Sequence, residues 1–315
     1  MRVAWICHFS NQKIRKRLGV EKGIDFAPWI SLSIEEFENR QDIELHVVAP
    51  HRGLRINKYF QDKNIHYHFI RTGLPFIKRN WPRFFMFDYW TKYIFYSKSI
   101  EKTVRRIHPA IINLHGAENP YYSASILRLI DFPILVNVQG IFSLNILNKT
   151  HITKYEQFRY NLENEIYCRL INFGIRADSM KEYILNQNPI AKFFWQNYPI
   201  KNTFLFKLHN TKKIYDIVFF ARVTKEKGIE DLIKAVSILK QDKSDVKLCV
   251  IGPGDKKYFM HLENLITESR LENNVFITGA LETQELVHYE ASKAIISVLP
   301  TYNDTIPGTI IKVCF

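Results

Sequence analysis

Between Ile214 and Leu299 four short β-branched runs alternate with three longer amphipathic stretches, and this rhythm restricts the fold more than any other feature of the sequence. The runs Ile214–Phe220, Lys247–Ile251, Val275–Thr278 and Ala294–Leu299 predict strands. The stretches Ile229–Leu239, Tyr258–Leu271 and Gln284–Ser292 predict helices between them. Such a repeat demands parallel strands with helices covering both sheet faces. The runs are apolar throughout rather than alternating, as expected of strands buried on both sides. A looser version precedes them, with strands expected at Val3–Cys7, Glu44–Ala49, His66–Ile70, Ala110–Leu114 and Ile134–Val138, and helices at Ile30–Asn39 and Met86–Ile107. The expected class is α/β, with two doubly wound domains over 1–200 and 214–315 joined by a polar linker, 201–213.

Composition closes off other classes. With 315 residues, 46% hydrophobic and 24% charged, the chain is neither disordered nor fibrous. Cys7, Cys168, Cys249 and Cys314 are too scattered for a disulfide framework or a zinc site, and each reads as a buried free thiol. The longest uncharged stretch, Phe132–Asn148, carries too many polar residues to span a membrane, and Val3–Phe9 is too short for a signal sequence. The expected location is cytoplasmic or peripheral at the inner membrane face.

The formal net charge of +13 asks for an anionic partner. Lys13–Lys22 concentrates part of it in Lys13, Arg15, Lys16, Arg17 and Lys22. Lys78–Lys98 interleaves Lys78, Arg79, Arg83, Lys92 and Lys98 with nine aromatic residues. That mixture suits a lipid headgroup surface or a single nucleic-acid strand. An amphipathic helix with its aromatic side in the core is the plainer reading.

Doubly wound folds bind ligands beyond the carboxyl ends of their strands. Arg222 follows the Ile214–Phe220 strand, and Lys227–Gly228 opens the next helix, so two cations lie near a helix N-terminus, a combination suited to a diphosphate. Gly252-Pro253-Gly254 ends the next strand, where glycines let backbone approach a ligand. Asp304, Thr305, Pro307 and Gly308 lie in the loop before the apolar run beginning at Thr309. In the first half, His115–Gly116 and Gln139–Gly140 end two strands. Taken singly, each also reads as an ordinary turn. The chain has no Asp-x-Asp pair, Walker A motif, Gly-x-Ser-x-Gly elbow or His-Glu-x-x-His pair.

In order and spacing, "IVFFARVTKEKGIEDLIKAVSIL", "VKLCVIGPGD" and "NNVFITGALETQELVHYEASKAIISVLPTYNDTIPGTII" resemble the retaining glycosyltransferases of family four. "HPAIINLHGAENP", "FPILVNVQGIFS" and "FGIRADSMKEYIL" match more loosely. The resemblance implies the GT-B fold, two Rossmann-like domains, and transfer of a sugar from a nucleotide-diphosphate donor to a glycan or lipid-linked acceptor in bacterial surface polysaccharide synthesis. It implies that Arg222 and Lys227 bind the donor diphosphate and stabilise charge as the glycosidic bond breaks. Gly252 and Gly254 then flank the nucleotide. Asp304 takes the place of the first acid of the family's paired-acid motif, and Thr305, Gly308 and Thr309 contact donor sugar and phosphates. Gln139 stands where relatives have an active-site His, and His115 and Gly116 line the acceptor cleft. No cofactor, no metal and no nucleic-acid partner is expected; peripheral contact with an anionic membrane is.

The sequence also departs from the family. Lys312 occupies the position of the second acid, and Gln139 cannot carry a proton. The chain stops at Phe315, before the family's remaining βα units, so the second domain is expected to be incomplete. An inactive truncated fragment, or a basic membrane- or nucleic-acid-binding module, therefore stays open as an alternative.

Overall fold

The computed structural model describes residues 1–20, 25–51, 54–71, 87–146, 149, 151–197, 199, 211–282 and 284–302. The chain divides into two compact units, Met1–Pro199 and Ile200–Phe315. Both are doubly wound, as the alternation of strands and helices predicts.

The first unit holds β1 (Arg2–Ile6), β2 (Glu44–His51), β3 (Lys58–Asp62), β4 (Ile65–Arg71), β5 (Ile111–His115), β6 (Ile134–Asn137), β7 (Asn172–Ile175) and β8 (Lys192–Trp195). They form one sheet in the order β3-β4-β2-β1-β5-β6-β7-β8. Every described pairing is parallel except β3 with β4. Strand periodicity divides the side chains between two cores. Trp5, Cys7, Leu45, Val47, Tyr67 and Phe69 pack on one face with the helices Gln12–Leu18 and Pro28–Phe37. Ala4, Ile6, Ile112, Leu114, Val136 and Val138 pack on the other with the helices Ile94–Ile107 and Lys154–Arg169.

The second unit holds β9 (Tyr215–Phe220), β10 (Leu248–Ile251), β11 (Val275–Gly279) and β12 (Ala294–Ser297), in the order β11-β10-β9-β12 and all parallel. Its described helices are Ile229–Asp242, Lys256–Glu268 and Gln284–Ala291. Ile217, Phe219, Leu248 and Val250 face the first two of these, while Val218, Cys249 and Ile251 face the third.

Three strands fall outside those expected from the sequence. β3 alternates half-buried and exposed residues at the sheet edge, β7 is four residues long and includes Gly174, and β8 is an exposed edge. The expected single helix Met86–Ile107 is broken at Lys92 and Tyr93, whose positive φ angles of 48° and 56° separate Phe87–Trp90 from Ile94–Ile107. Tyr93, Tyr96, Ile100, Val104 and Ile107 form its buried stripe, so part of the aromatic stretch is core. Trp90, Ile94 and Phe95 remain exposed. The stretch's first part, Lys78–Met86, lies outside the described residues.

Two expectations need correction. Cys7 and Cys249 are buried, but Cys168 is exposed, because it sits on the outer side of the helix Lys154–Arg169. The cationic cluster near Lys13 is also partly neutralised internally, Lys16 and Arg17 staying exposed and Lys22 lying outside the described residues. Lys13 pairs with Asp62 (2.8 Å) and Glu38 (3.5 Å), and Arg15 with Asp25 (2.8 Å). No helix among the described residues is long and apolar enough to cross a membrane.

Candidate active site

In the second unit, β9 runs on beyond its last paired residue. The Ala221 N–H donates to the Ile251 carbonyl (3.1 Å) and the Val223 N–H to the Pro253 carbonyl (2.8 Å). Ala221 and Val223 are buried, so the extended alternation turns Arg222 outward, where it is exposed. Such close contact between the turns depends on Gly252. Its φ is 145°, and a Cβ there would overlap the Ala221 carbonyl oxygen. Gly254 abuts the Val223 carbonyl and the Phe259 ring.

Lys225–Lys227 forms a 3-10 turn, and Gly228, at φ 72°, starts the helix Ile229–Asp242 with no side chain capping it. The next helix, Lys256–Glu268, differs: Asp255 accepts from its Lys257 N–H at 2.9 Å. One helix start is thus occupied by its own carboxylate, and the other leaves its leading N–H groups for a ligand. Glu230 and Asp231 stand in that first turn. Tyr258 donates to Glu230 (2.9 Å), and Tyr302 donates to Asp231. Lys227 is half-buried, and the exposed Lys225, which sequence reading passed over, adds a further cation.

The loop after β12 is tied to the same place. A Cβ on Gly228 would overlap the Pro300 carbonyl, and the Tyr302 N–H donates to the Glu226 carbonyl at 3.0 Å. The chain therefore reaches the Arg222–Gly228 segment at Tyr302, two residues before Asp304. Asp304, Thr305, Gly308 and Thr309, and with them Lys312 and Cys314, lie outside the described residues.

In the first unit the ends of β5 and β6 are neutral and enclosed. His115 is buried with its ring 4.4 Å from that of Trp5. Burial, and then the charge of Arg176, pushes its pKa down to about 3, so it is a neutral imidazole at ordinary pH. Its Nε2 has no hydrogen-bond partner among the described residues, and neither do Asn113 Oδ1, Asn137 Oδ1, Gln139 Nε2 and Glu118 Oε2. Buried polar atoms are almost always paired, so a group of orphans at adjoining strand ends calls for a partner. Asn137 is the register partner of His115, and the Gly116 N–H donates to the Asn137 carbonyl at 2.9 Å. Gly116 lies against the Glu118 carboxylate. Burial raises the Glu118 pKa to about 7, with the Glu163 charge adding to the shift and Arg159 opposing it.

Glu163 fixes the loop that follows Gln139. Fully buried, it accepts from the N–H groups of Phe142 (2.9 Å) and Ser143 (2.7 Å) and from the Ser143 hydroxyl (2.6 Å). These bonds cap the short helix Phe142–Ile146 and hold the Gln139–Gly140 turn before it. The Arg159 guanidinium stacks 3.7 Å from the Phe142 ring centroid and donates to the Glu118 carbonyl (2.7 Å). Asn137, Glu118 and Glu163 escaped sequence reading. "HGAENP" placed Glu118 in view, but Glu163 lies on a distant helix and gives no local signal.

Residues 201–311 match the family model described as "Glycosyl transferases group 1". No curated protein sequence matches the chain. Among solved structures, sucrose-phosphate synthase from Thermosynechococcus elongatus is similar with a TM-score of 0.69 and 13% identity, over 99% of this chain and 78% of that one. The trehalose-6-phosphate structure from E. coli bound with UDP-2-fluoro glucose gives 0.69 and 11%, over 99% and 81%. Anabaena Alr3699/HepE in complex with UDP and glucose gives 0.61 and 11%, over 99% and 78%. Residues 201–311 thus match the glycosyl transferases group 1 family, and the fold of the chain is that of the GT-B glycosyltransferases.

Proposed function

We propose that the protein transfers a sugar, with retention, from a nucleoside-diphosphate sugar to a glycan or lipid-linked acceptor in bacterial surface polysaccharide synthesis. The observation that carries this reading is the juxtaposition of Arg222, the Gly252–Gly254 turn and the uncapped helix start at Gly228. Together they offer positive charge, close backbone approach and unpaired N–H groups, which is what a diphosphate needs. UDP and glucose bound to Anabaena Alr3699/HepE support the donor class.

In the proposed step, the bond from the donor's anomeric carbon to the diphosphate breaks and its electron pair passes to the phosphate oxygen. Arg222 and Lys227 stabilise that charge, which grows toward the transition state. The acceptor hydroxyl bonds to the anomeric carbon on the face the diphosphate leaves, and its proton passes to the departing phosphate. The first unit suits hydroxyl recognition: Gln139 Nε2 donates, Asn113 and Asn137 accept, and Glu118, titrating near neutrality, can do either. Exposed Trp90, Ile94 and Phe95 beside Lys92 and Lys98 favour an acceptor presented at the inner membrane face.

Calorimetric titration of the full chain with UDP tests the donor site. Binding is expected, with loss in Arg222→Ala and in Lys227→Ala; unchanged affinity in both variants would sink the assignment. An inverted anomeric centre in the product, read by NMR, would overturn retention.

A further inference from the structure

A second cluster of chemistry-bearing side chains lies at the opposite ends of the first unit's strands, away from His115 and Asn137. Glu44 opens β2, and His66 is the second residue of β4. The two strands run parallel with His46 directly opposite His66. Because Leu45, Val47, Ile65 and Tyr67 fill the core on one face, Glu44, His46, His66 and His68 share the other. Antiparallel β3 brings Tyr59 opposite His68.

Three ligand atoms converge there. Glu44 Oε1 is 2.9 Å from His46 Nε2 and 3.8 Å from His66 Nε2, and all three atoms lie within 4.8 Å of one another. A zinc ion bound at about 2.0–2.1 Å to N and O ligands in tetrahedral geometry holds them about 3.4 Å apart, between those two spacings. The remote nitrogen of each imidazole also has a partner. His46 Nδ1 is 3.1 Å from His68 Nε2, and His66 Nδ1 is 2.8 Å from the Tyr59 hydroxyl. Bonds of this kind fix ring orientation in metal-binding histidines and leave the other nitrogen to the ion. Packing alone gives no reason to stack His46 on His66 at 4.5 Å in a largely buried site.

We propose that Glu44, His46 and His66 bind one divalent transition-metal ion of the zinc class, with solvent as the fourth ligand and His68 and Tyr59 as positioning residues. The ion cross-links β2 to β4 and takes no part in sugar transfer. Arg2 donates to Glu44 Oε2 at 3.3 Å, leaving Oε1 for the ion. Arg2 beside Glu44 and Arg106 near His68 are the cations that face the cluster and moderate its affinity. Each imidazole gives up its Nε2 proton, where it carries one, as the metal–nitrogen bond forms, so binding weakens as pH falls and protons compete.

Titrating the full chain with Zn2+ against a chromophoric chelator tests the site. One ion per chain is expected, and Co2+ should give visible absorption without a thiolate charge-transfer band. Tyr59→Phe and His68→Asn should weaken binding about 10–100-fold, the cost of losing a supporting hydrogen bond, and His66→Gln or Glu44→Gln by more. Glu44→Gln conserves shape at a side chain 38% exposed, so it tests the site even if a histidine variant misfolds. Zn2+ should raise the thermal midpoint of the parent chain and not that of Glu44→Gln. Absence of a one-to-one site, undiminished binding in Glu44→Gln, or loss of binding only in Cys168→Ser would each overturn the proposal.

Discussion

The two units present opposite kinds of strand end. In the second, the backbone makes the site: buried Ala221 and Val223 lock to the β10 turn, and charge reaches solvent through Arg222 and Lys225. In the first, side chains make it, as a set of enclosed polar atoms around a neutral histidine. A diphosphate is recognised chiefly by charge and N–H groups, which suits an open cationic rim. A sugar hydroxyl is recognised by directional bonds from desolvated donors and acceptors, which suits enclosure.

Gly252→Val tests the backbone-built site most severely. The added side chain must overlap the Ala221 carbonyl at a φ that L residues rarely adopt. A loss of roughly 3–5 kcal/mol in stability is expected from urea denaturation, with nucleotide binding abolished. Gly140→Ala is the matching change in the first unit, where a Cβ meets nothing within 4 Å. It should stay within about 0.5 kcal/mol of the parent chain. Equal effects would erase the contrast.

Arg222→Ala separates charge from scaffold. Its side chain is exposed, so denaturant midpoints should barely move. Loss of hydrogen bonds to a charged ligand, about 1.5–3 kcal/mol, should weaken UDP binding roughly 10–100-fold. Arg222→Lys should fall between, because a point charge replaces a planar fork.

Legibility in the sequence follows the same division. Strands buried on both faces, such as Val3–Cys7 and Ile134–Val138, announce themselves as apolar runs, and the glycine and cation spacing marks the second unit's turns. Edge strand β3 lacks a second buried face and hence the run, and β8, though it holds Phe193, Phe194 and Trp195, is only four residues long. The enclosed site was half legible: His115 and Gln139 stand at strand ends, but their setting depends on Glu163 and Arg159, which lie on a helix well separated in sequence. The helix break at Tyr93 was hidden because its aromatic neighbours continue the helical pattern across it.

Titration of the enclosed site sharpens the comparison next. His115 has its pKa lowered from 6.5 to about 3, so the unfolded chain binds more protons between these values and stability rises with pH there. Glu118 has its pKa raised from 4.5 to about 7, so the folded chain binds more protons and stability falls with pH over that window. The two slopes oppose each other from pH 4.5 to 6.5. Glu118→Gln should leave stability rising more steeply with pH from 4.5 to 7, by on the order of 3 kcal/mol across the window. His115→Asn should do the reverse, flattening the rise from pH 3 to 6.5. Denaturant midpoints measured at half-unit steps decide it, and an unchanged profile in both variants would mean that neither group is enclosed as described.

The smallest effect is the most telling about purpose. Asn137 Oδ1 is buried and lacks a partner among the described residues, so folding withdraws it from water without return. Replacing it with an apolar residue of similar volume removes that cost. Asn137→Leu should therefore stabilise the chain by about 1 kcal/mol, read from urea denaturation. If the orphan exists to meet an acceptor hydroxyl, the same variant should lose sugar transfer while keeping the UDP affinity proposed for the other unit. A gain in stability with transfer intact would make Asn137 a packing residue. A loss of stability would mean that its side chain is satisfied in solution, and the contrast between a charged, open rim and an enclosed polar one would have to be redrawn.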